Sequence, residues 1–129
     1  MYILDTDIII WILRNDVTII SVMDRLVQQT STAISTITVA ELYKNIFPSE
    51  VTPTEELLEN HEIIPVTKEI ARDGGYYWQQ FHRRIATLSL PDCIIAATVR
   101  AYQGTLLTLN TRHFPMTDIV VKNPRGLNV

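Results

Sequence analysis

A short apolar run, Tyr2-Ile3-Leu4, stops on Asp5-Thr6-Asp7 and resumes at once as Ile8-Ile9-Ile10-Trp11-Ile12-Leu13. Such a run fits a buried strand that delivers an acid to the mouth of an α/β sheet, with a short helix over residues 7–13 behind it. A carboxylate placed directly after a buried strand needs a partner, because an unpaired charge away from water is costly. What the chain does therefore turns on what else reaches that edge.

Downstream, Ile19, Ile20, Met23, Leu26 and Val27 fall at helical spacing after Asn15-Asp16 has broken and recapped the chain. Residues 33–37 read as a second strand. Thr38-Val39-Ala40-Glu41 has the pattern of a capping box opening the next helix, which Pro48 closes. Thr52-Pro53-Thr54-Glu55 repeats the start signal, with proline at the first helical position and an end at Asn60. A short strand follows over residues 63–66.

From Lys68 the stripe Ile70, Ala71, Gly74, Trp78, Phe81 and Ile85 marks a long helix with Trp78 and Phe81 in the core. Gly74-Gly75 costs that helix about 1 kcal/mol per glycine relative to alanine, so close packing is expected there. Ser89-Leu90-Pro91-Asp92 starts a helix that is apolar almost all round and runs to Gln103, with Gly104 as its cap. Residues 105–109 form a nearly continuous apolar strand, and 119–121 a last one. Strands alternating with helices predict an α/β fold with a mainly parallel sheet, and 129 residues make one domain, 1–129.

The net charge of −3 and pI near 5.5 argue against gripping nucleic acid by bulk electrostatics. A nucleic-acid substrate would need a metal or a local patch. One cysteine, Cys93, excludes an internal disulfide and a cysteine-rich zinc site. Met1 leads straight into a core strand and no apolar run reaches the ~18 residues of a membrane span. A cytoplasmic protein without membrane contact is expected. Charged residues make up 19% of the chain against about 25% in a typical domain, which leaves surface for a partner to cover.

Three acids occupy similar local positions: Asp5 after the first strand, Glu41 in the helix after the second, and Asp92 in the helix before the strand at Thr105. In a parallel sheet the loops at the carboxyl ends of the strands share one edge, so Asp5 and Glu41 should be neighbours. Crowded carboxylates repel unless a cation neutralises them. Oxygen donors without a histidine or cysteine cluster point to Mg2+ or Mn2+, suited to holding a phosphodiester and acidifying a water. Glu41 and Asp92 are, singly, as well explained as helix caps. Asp7 could be a metal ligand but is expected to cap the short helix.

These segments together resemble the PIN-domain family, and within it the small VapC-type toxins of type II toxin-antitoxin pairs. The resemblance rests on Tyr2-Ile3-Leu4-Asp5-Thr6-Asp7, Ile37-Thr38-Val39-Ala40-Glu41-Leu42, Asp92-Cys93-Ile94-Ile95-Ala96-Ala97-Thr98, Gly104-Thr105-Leu106-Leu107-Thr108-Leu109-Asn110 and Thr111-Arg112-His113-Phe114. It implies a three-layer α/β/α fold with about five strands. It implies an Mg2+- or Mn2+-dependent ribonuclease with Asp5, Glu41 and Asp92 as catalytic and metal-binding residues, an RNA substrate, a homodimer and a covering antitoxin. The chain departs from the family in carrying Asp7 where asparagine or a small polar residue is usual, and His113 where an acid is common. One-metal chemistry or reduced activity is the expected consequence, with Asn110 or His113 holding water and Asp118 a remote substitute.

Cys93 is expected to be a small core residue and His61 and His82 surface residues. Arg112 and Arg83-Arg84 could hold RNA phosphates, Tyr76, Tyr77, Trp78 and Phe81 could stack on bases, and Trp11 could meet a partner. Two other functions compete: a PIN fold with weakened catalysis that binds RNA or protein, and a haloacid-dehalogenase-like phosphatase using Asp5 as nucleophile. The second fits poorly, because Ile8-Ile9-Ile10 replaces the small-residue loop such enzymes need.

Overall fold

In the computed structural model, which describes residues 1–127, five strands form one sheet: β1 (Tyr2–Leu4), β2 (Thr32–Ser35), β3 (Glu62–Ile64), β4 (Thr105–Leu107) and β5 (Val120–Lys122). Their order is β3-β2-β1-β4-β5 and every pairing is parallel. The helices are α1 (Thr6–Leu13), α2 (Val17–Gln29), α3 (Thr36–Tyr43), α4 (Val51–Glu59), α5 (Lys68–Phe81) and α6 (Leu90–Ala101). The expected three-layer α/β/α arrangement is present.

Register sorts the core into two halves. Ile3 lies beside Ala33 and Leu106, and all three pack with Ile70, Tyr77, Phe81, Ile95 and Val99 of α5 and α6. Leu4 lies beside Leu107, and with Ile34 these pack against Ile8, Ile19, Met23 and Leu26 of α1 and α2. The side-chain period of two thus makes each central strand apolar on both faces, as a sheet covered on both sides requires. Among the described residues no helix is long and apolar enough to cross a membrane.

Several local expectations give way to tertiary structure. β2 ends at Ser35, whose hydroxyl accepts from the Ile37 amide and caps α3; Glu41 therefore lies in the second turn of α3, not at its start. A 3-10 turn, Pro48–Glu50, leads into α4, so that helix begins at Val51, ahead of Pro53. At the end of α6 the left-handed residue is Gln103 (φ 51°), not Gly104. Gly104 is tightly placed instead: a Cβ there would stand 3.1 Å from the Met1 carbonyl oxygen, so a side chain would press on the start of β1.

On α5 the buried aromatics are Tyr77 and Phe81, whereas Trp78 is 39% exposed and stacks on His82. The buried face of α5 therefore runs through Tyr77 instead of Trp78. Tyr77 donates to Asp118 (2.8 Å), which also pairs with Arg100 at 3.5 Å; burial pushes the Tyr77 phenol up to about 12. Asp118 is thus committed to Tyr77 and Arg100 and does not substitute for a missing site acid. His61 is not a free surface residue, because its Nδ1 lies 2.6 Å from the Thr32 hydroxyl and burial lowers its pKa.

The glycine pair divides. A Cβ on Gly74 would sit 2.8 Å from Ile94 Cγ1 and 3.0 Å from its Cα, so α5 touches the α6 backbone there; Gly75 has open space. Gly74→Ala is expected to destabilise the protein by roughly 1–3 kcal/mol through overpacking, and Gly75→Ala to stabilise it by about 0.5–1 kcal/mol through helix propensity. Urea denaturation of both variants checks the opposite signs.

Candidate acidic active site

The chain builds β1, β2 and β3 to one side and then returns to place β4 and β5 on the other. The direction of strand addition reverses between β1 and β4, which in open parallel sheets leaves a crevice at the carboxyl ends. Asp5 follows β1 and Thr108 follows β4, and the two meet across that crevice. The Asp5 amide continues the ladder to the Leu107 carbonyl at 2.9 Å.

Asp5 is only 7% exposed. One carboxylate oxygen accepts from the Thr6 amide at 2.8 Å, making Asp5 the N-cap of α1, and the other accepts from the Thr108 hydroxyl at 2.7 Å. Burial, followed by repulsion from Asp7, raises its pKa to about 7 despite those two bonds. Desolvation outweighs hydrogen bonding here, so Asp5 holds a proton up to neutral pH unless a cation replaces it.

Asp5 rather than Asp7 caps α1, a correction with chemical consequences. Asp7 is freed to face the loop after β4, where its Oδ2 accepts from the Leu109 amide at 3.1 Å and lies 3.4 Å from both the Thr108 hydroxyl and the Asn110 side-chain amide. Its Oδ1 is buried without a hydrogen-bond partner. Burial raises the Asp7 pKa as well. An orphaned carboxylate oxygen beside a second buried carboxylate fits a hard cation such as Mg2+ or Mn2+.

Glu41 enters by a different contact. Its Oε1 accepts from the Thr6 hydroxyl at 2.7 Å, so the residue between the two aspartates also leads to α3. On that side the site opens into a groove of about 830 Å³ lined by Thr6, Ile10, Arg14, Glu41, Lys44 and Phe47, among others. Asp92 arrives from the opposite layer. Ser89 caps α6 by accepting from the Asp92 amide at 3.2 Å. The Asp92 carboxylate has no hydrogen bond among the described residues, and its charge adds a little to the rise in the Asp5 and Asp7 pKa values; burial first, and the Asp92 charge second, push the Cys93 thiol up to about 11.

The structure therefore joins Asp5 directly to Asp7 through Thr108, links Glu41 through Thr6, and leaves Asp92 within electrostatic range. Among the described residues no three His, Cys, Asp or Glu side chains are drawn together tightly enough to chelate an ion alone. Water and substrate oxygens would complete the shell, which suits Mg2+. Thr108 was missed in the sequence; the only signal was a hydroxyl at the end of an apolar strand. His113 turns to Thr87, with Nε2 3.3 Å from its hydroxyl. Asn110 does reach the site through Asp7.

Residues 2–119 match the PIN domain family. Over 121 residues the chain is 33% identical to Ribonuclease VapC10 of Mycobacterium tuberculosis, covering 92% of this chain and 89% of that protein. Among solved structures it is similar to VapBC2 from Rickettsia felis bound to a promoter DNA fragment, with TM-score 0.81 and 21% identity over 95% of this chain and 97% of that one. FitAcB from Neisseria gonorrhoeae has a TM-score of 0.76 and 26% identity over 98% and 100%. A haloacid-dehalogenase-like phosphatase is set aside by the family match, which covers the whole parallel sheet up to the turn before its last strand: the chain belongs to the PIN-domain family.

Proposed function

We propose that this protein is a metal-dependent endoribonuclease and the toxin of a type II toxin-antitoxin pair. The observation that carries the metal site is the buried Asp5-Asp7 pair, with one oxygen of Asp7 unsatisfied. The relative named as a ribonuclease, matched over nearly its whole length, supports the substrate class. A solved neighbour described as a toxin-antitoxin complex, from Klebsiella pneumoniae and 26% identical, supports an antitoxin as partner. A homodimer and a cytoplasmic location complete the reading, with exposed Trp11 available to a protein partner.

In this site Asp5 and Asp92 would hold Mg2+ or Mn2+, with Asp7 adding the orphaned oxygen. When bound, the ion supplies positive charge for the phosphodiester oxygens and lowers the pKa of a water. The protein's part is positioning. Thr108 orients Asp5 through its donated hydrogen and keeps Asp7 in register; Thr6 holds one oxygen of Glu41 and leaves the other to orient an attacking water and take its proton. His113, engaged with Thr87, brings no fourth acid, which supports one-metal chemistry.

Asp5→Asn is expected to abolish RNA cleavage, a loss on the order of 10²-fold or more, while the metal-free protein at pH 8 gains roughly 1–3 kcal/mol because a buried charge is gone. Full cleavage by a folded Asp5→Asn protein, measured on a labelled RNA pool with Mn2+, would overturn the mechanism.

The pH dependence has a definite sign. The folded Asp5 pKa of about 7 exceeds the ordinary 3.8, so the folded state binds more protons than the unfolded one between those values. Stability without metal should fall as pH rises from about 4 through 7. Mn2+ should raise the melting temperature at pH 8 much more than at pH 5, because at pH 5 it competes with the proton. Melting curves with EDTA and with Mn2+ at the two pH values check this; equal stabilisation at both would remove Asp5 from the metal site.

A further inference from the structure

Charge is segregated along this acidic chain. Residues 1–73 carry twelve of the fourteen acids and five of the eleven lysines and arginines, whereas from 74 through 117 Asp92 is the only acid beside Arg83, Arg84, Arg100 and Arg112. Such asymmetry between halves is what a nucleic-acid contact leaves in a chain whose net charge is unfavourable. The fold places Arg83, Arg84 and Arg112 on two arms that lead into the acidic centre, whereas Arg100, in the last turn of α6, pairs with Asp118.

One arm runs from the end of α5 to Ser89, the cap of α6, three residues before Asp92. The other is the 3-10 turn Thr111–His113, which follows the Thr108–Asn110 segment bonded to Asp5 and Asp7. The Thr87–His113 hydrogen bond ties the arms together. Arg83 and Arg112 are exposed and neither has an acidic partner among the described residues. Arg84 is steadied over the Phe81 ring at 5.1 Å.

At the head of the first arm, the Trp78 and His82 rings stack at 3.8 Å, 4° from parallel. The His82 Nδ1 lies 2.7 Å from the Trp78 carbonyl, which can only accept, so Nδ1 carries the hydrogen. The result is a flat, half-exposed aromatic platform beside unpaired guanidinium groups. That pairing of π-face and cation is the physical requirement for holding single strands without reading sequence.

Resting on the ribonuclease reading, we infer that single-stranded RNA reaches the acidic centre along this rim, with Arg83 and Arg112 contacting phosphates and the Trp78-His82 stack carrying a base. The guanidinium charge there would offset the repulsion between the RNA backbone and the carboxylates. None of the rim residues lines the groove beside Glu41.

The test is binding of a fluorescein-labelled single-stranded RNA to the full-length protein in EDTA, where binding is seen without cleavage. Arg83→Gln/Arg112→Gln should weaken binding by about tenfold or more and reduce the slope of log affinity against log salt by between about one and two. RNA should quench tryptophan fluorescence in the wild type and far less in Trp78→Phe, with Trp11 as the remaining reporter. Unchanged melting and Mn2+ titration would show that fold and acidic site are intact. Wild-type affinity in the double variant, loss confined to Arg14→Gln/Lys44→Gln, or no RNA binding by the wild type would each overturn the rim. Wild-type protein that binds RNA through the rim but never cleaves it with Mn2+ would instead overturn the ribonuclease reading and leave the rim standing.

Discussion

The structure depends on one carboxylate with two obligations. Asp5 closes the amino end of α1 through the Thr6 amide and joins β1 to the strand that arrives a hundred residues later through the Thr108 hydroxyl. Both bonds lie where the sheet reverses its order of strand addition. The residue best placed for chemistry is thus also a joint between helix and sheet, and its position is determined by parts of the chain that serve stability. That economy sharpens geometry, because Asp5 cannot rotate without releasing a helix end and a strand end together.

Neighbouring threonines extend the same logic. Thr6 separates Asp5 from Asp7 in sequence and binds Glu41 in space, while Thr108 accepts from the Asn110 amide and donates to Asp5. Accepting that amide orients the hydroxyl, so its one hydrogen goes to the 2.7 Å contact and Asp7 receives only a weak share at 3.4 Å. Neutral donors therefore hold the aspartates in place without neutralising them. The unsatisfied charge requirement is left for something outside the chain.

Much of this was legible in the sequence because periodicity and strand order are strong signals. The apolar runs at Tyr2–Leu4 and Thr105–Leu107 have interior character on both faces, and Asp5 stands out because a carboxylate has little reason to follow such a run. Where local pattern and structure differ, the cause is shared: tertiary contacts do work that a local motif suggests for itself. Thr38 through Glu41 has the spacing of a capping box, yet Thr38 is fully buried in a helix already capped by Ser35. Asp7 has the local look of a cap for the short helix, but a carboxylate has two oxygens, and Asp5 uses one of its own to cap α1. Tyr77 and Trp78 exchanged places because helical spacing fixes a face only to within one residue, and a hydroxyl partner in Asp118 decided which ring went inside. Contacts between residues a hundred positions apart, such as Thr108 with Asp5, leave no spacing to find.

The acidic centre also accounts for a cost carried by the fold. A raised Asp5 pKa, a raised Asp7 pKa and a buried oxygen without a partner all mean that the metal-free protein is less stable at neutral pH than the same backbone with neutral side chains would be. The two large apolar layers on either side of the sheet offset that cost, and they do so through residues that never approach the site, such as Ile19 and Val99. Stability drawn from the layers is what allows mutual repulsion to persist at the crevice. A cation that relieved the repulsion would draw part of its affinity from the same energy.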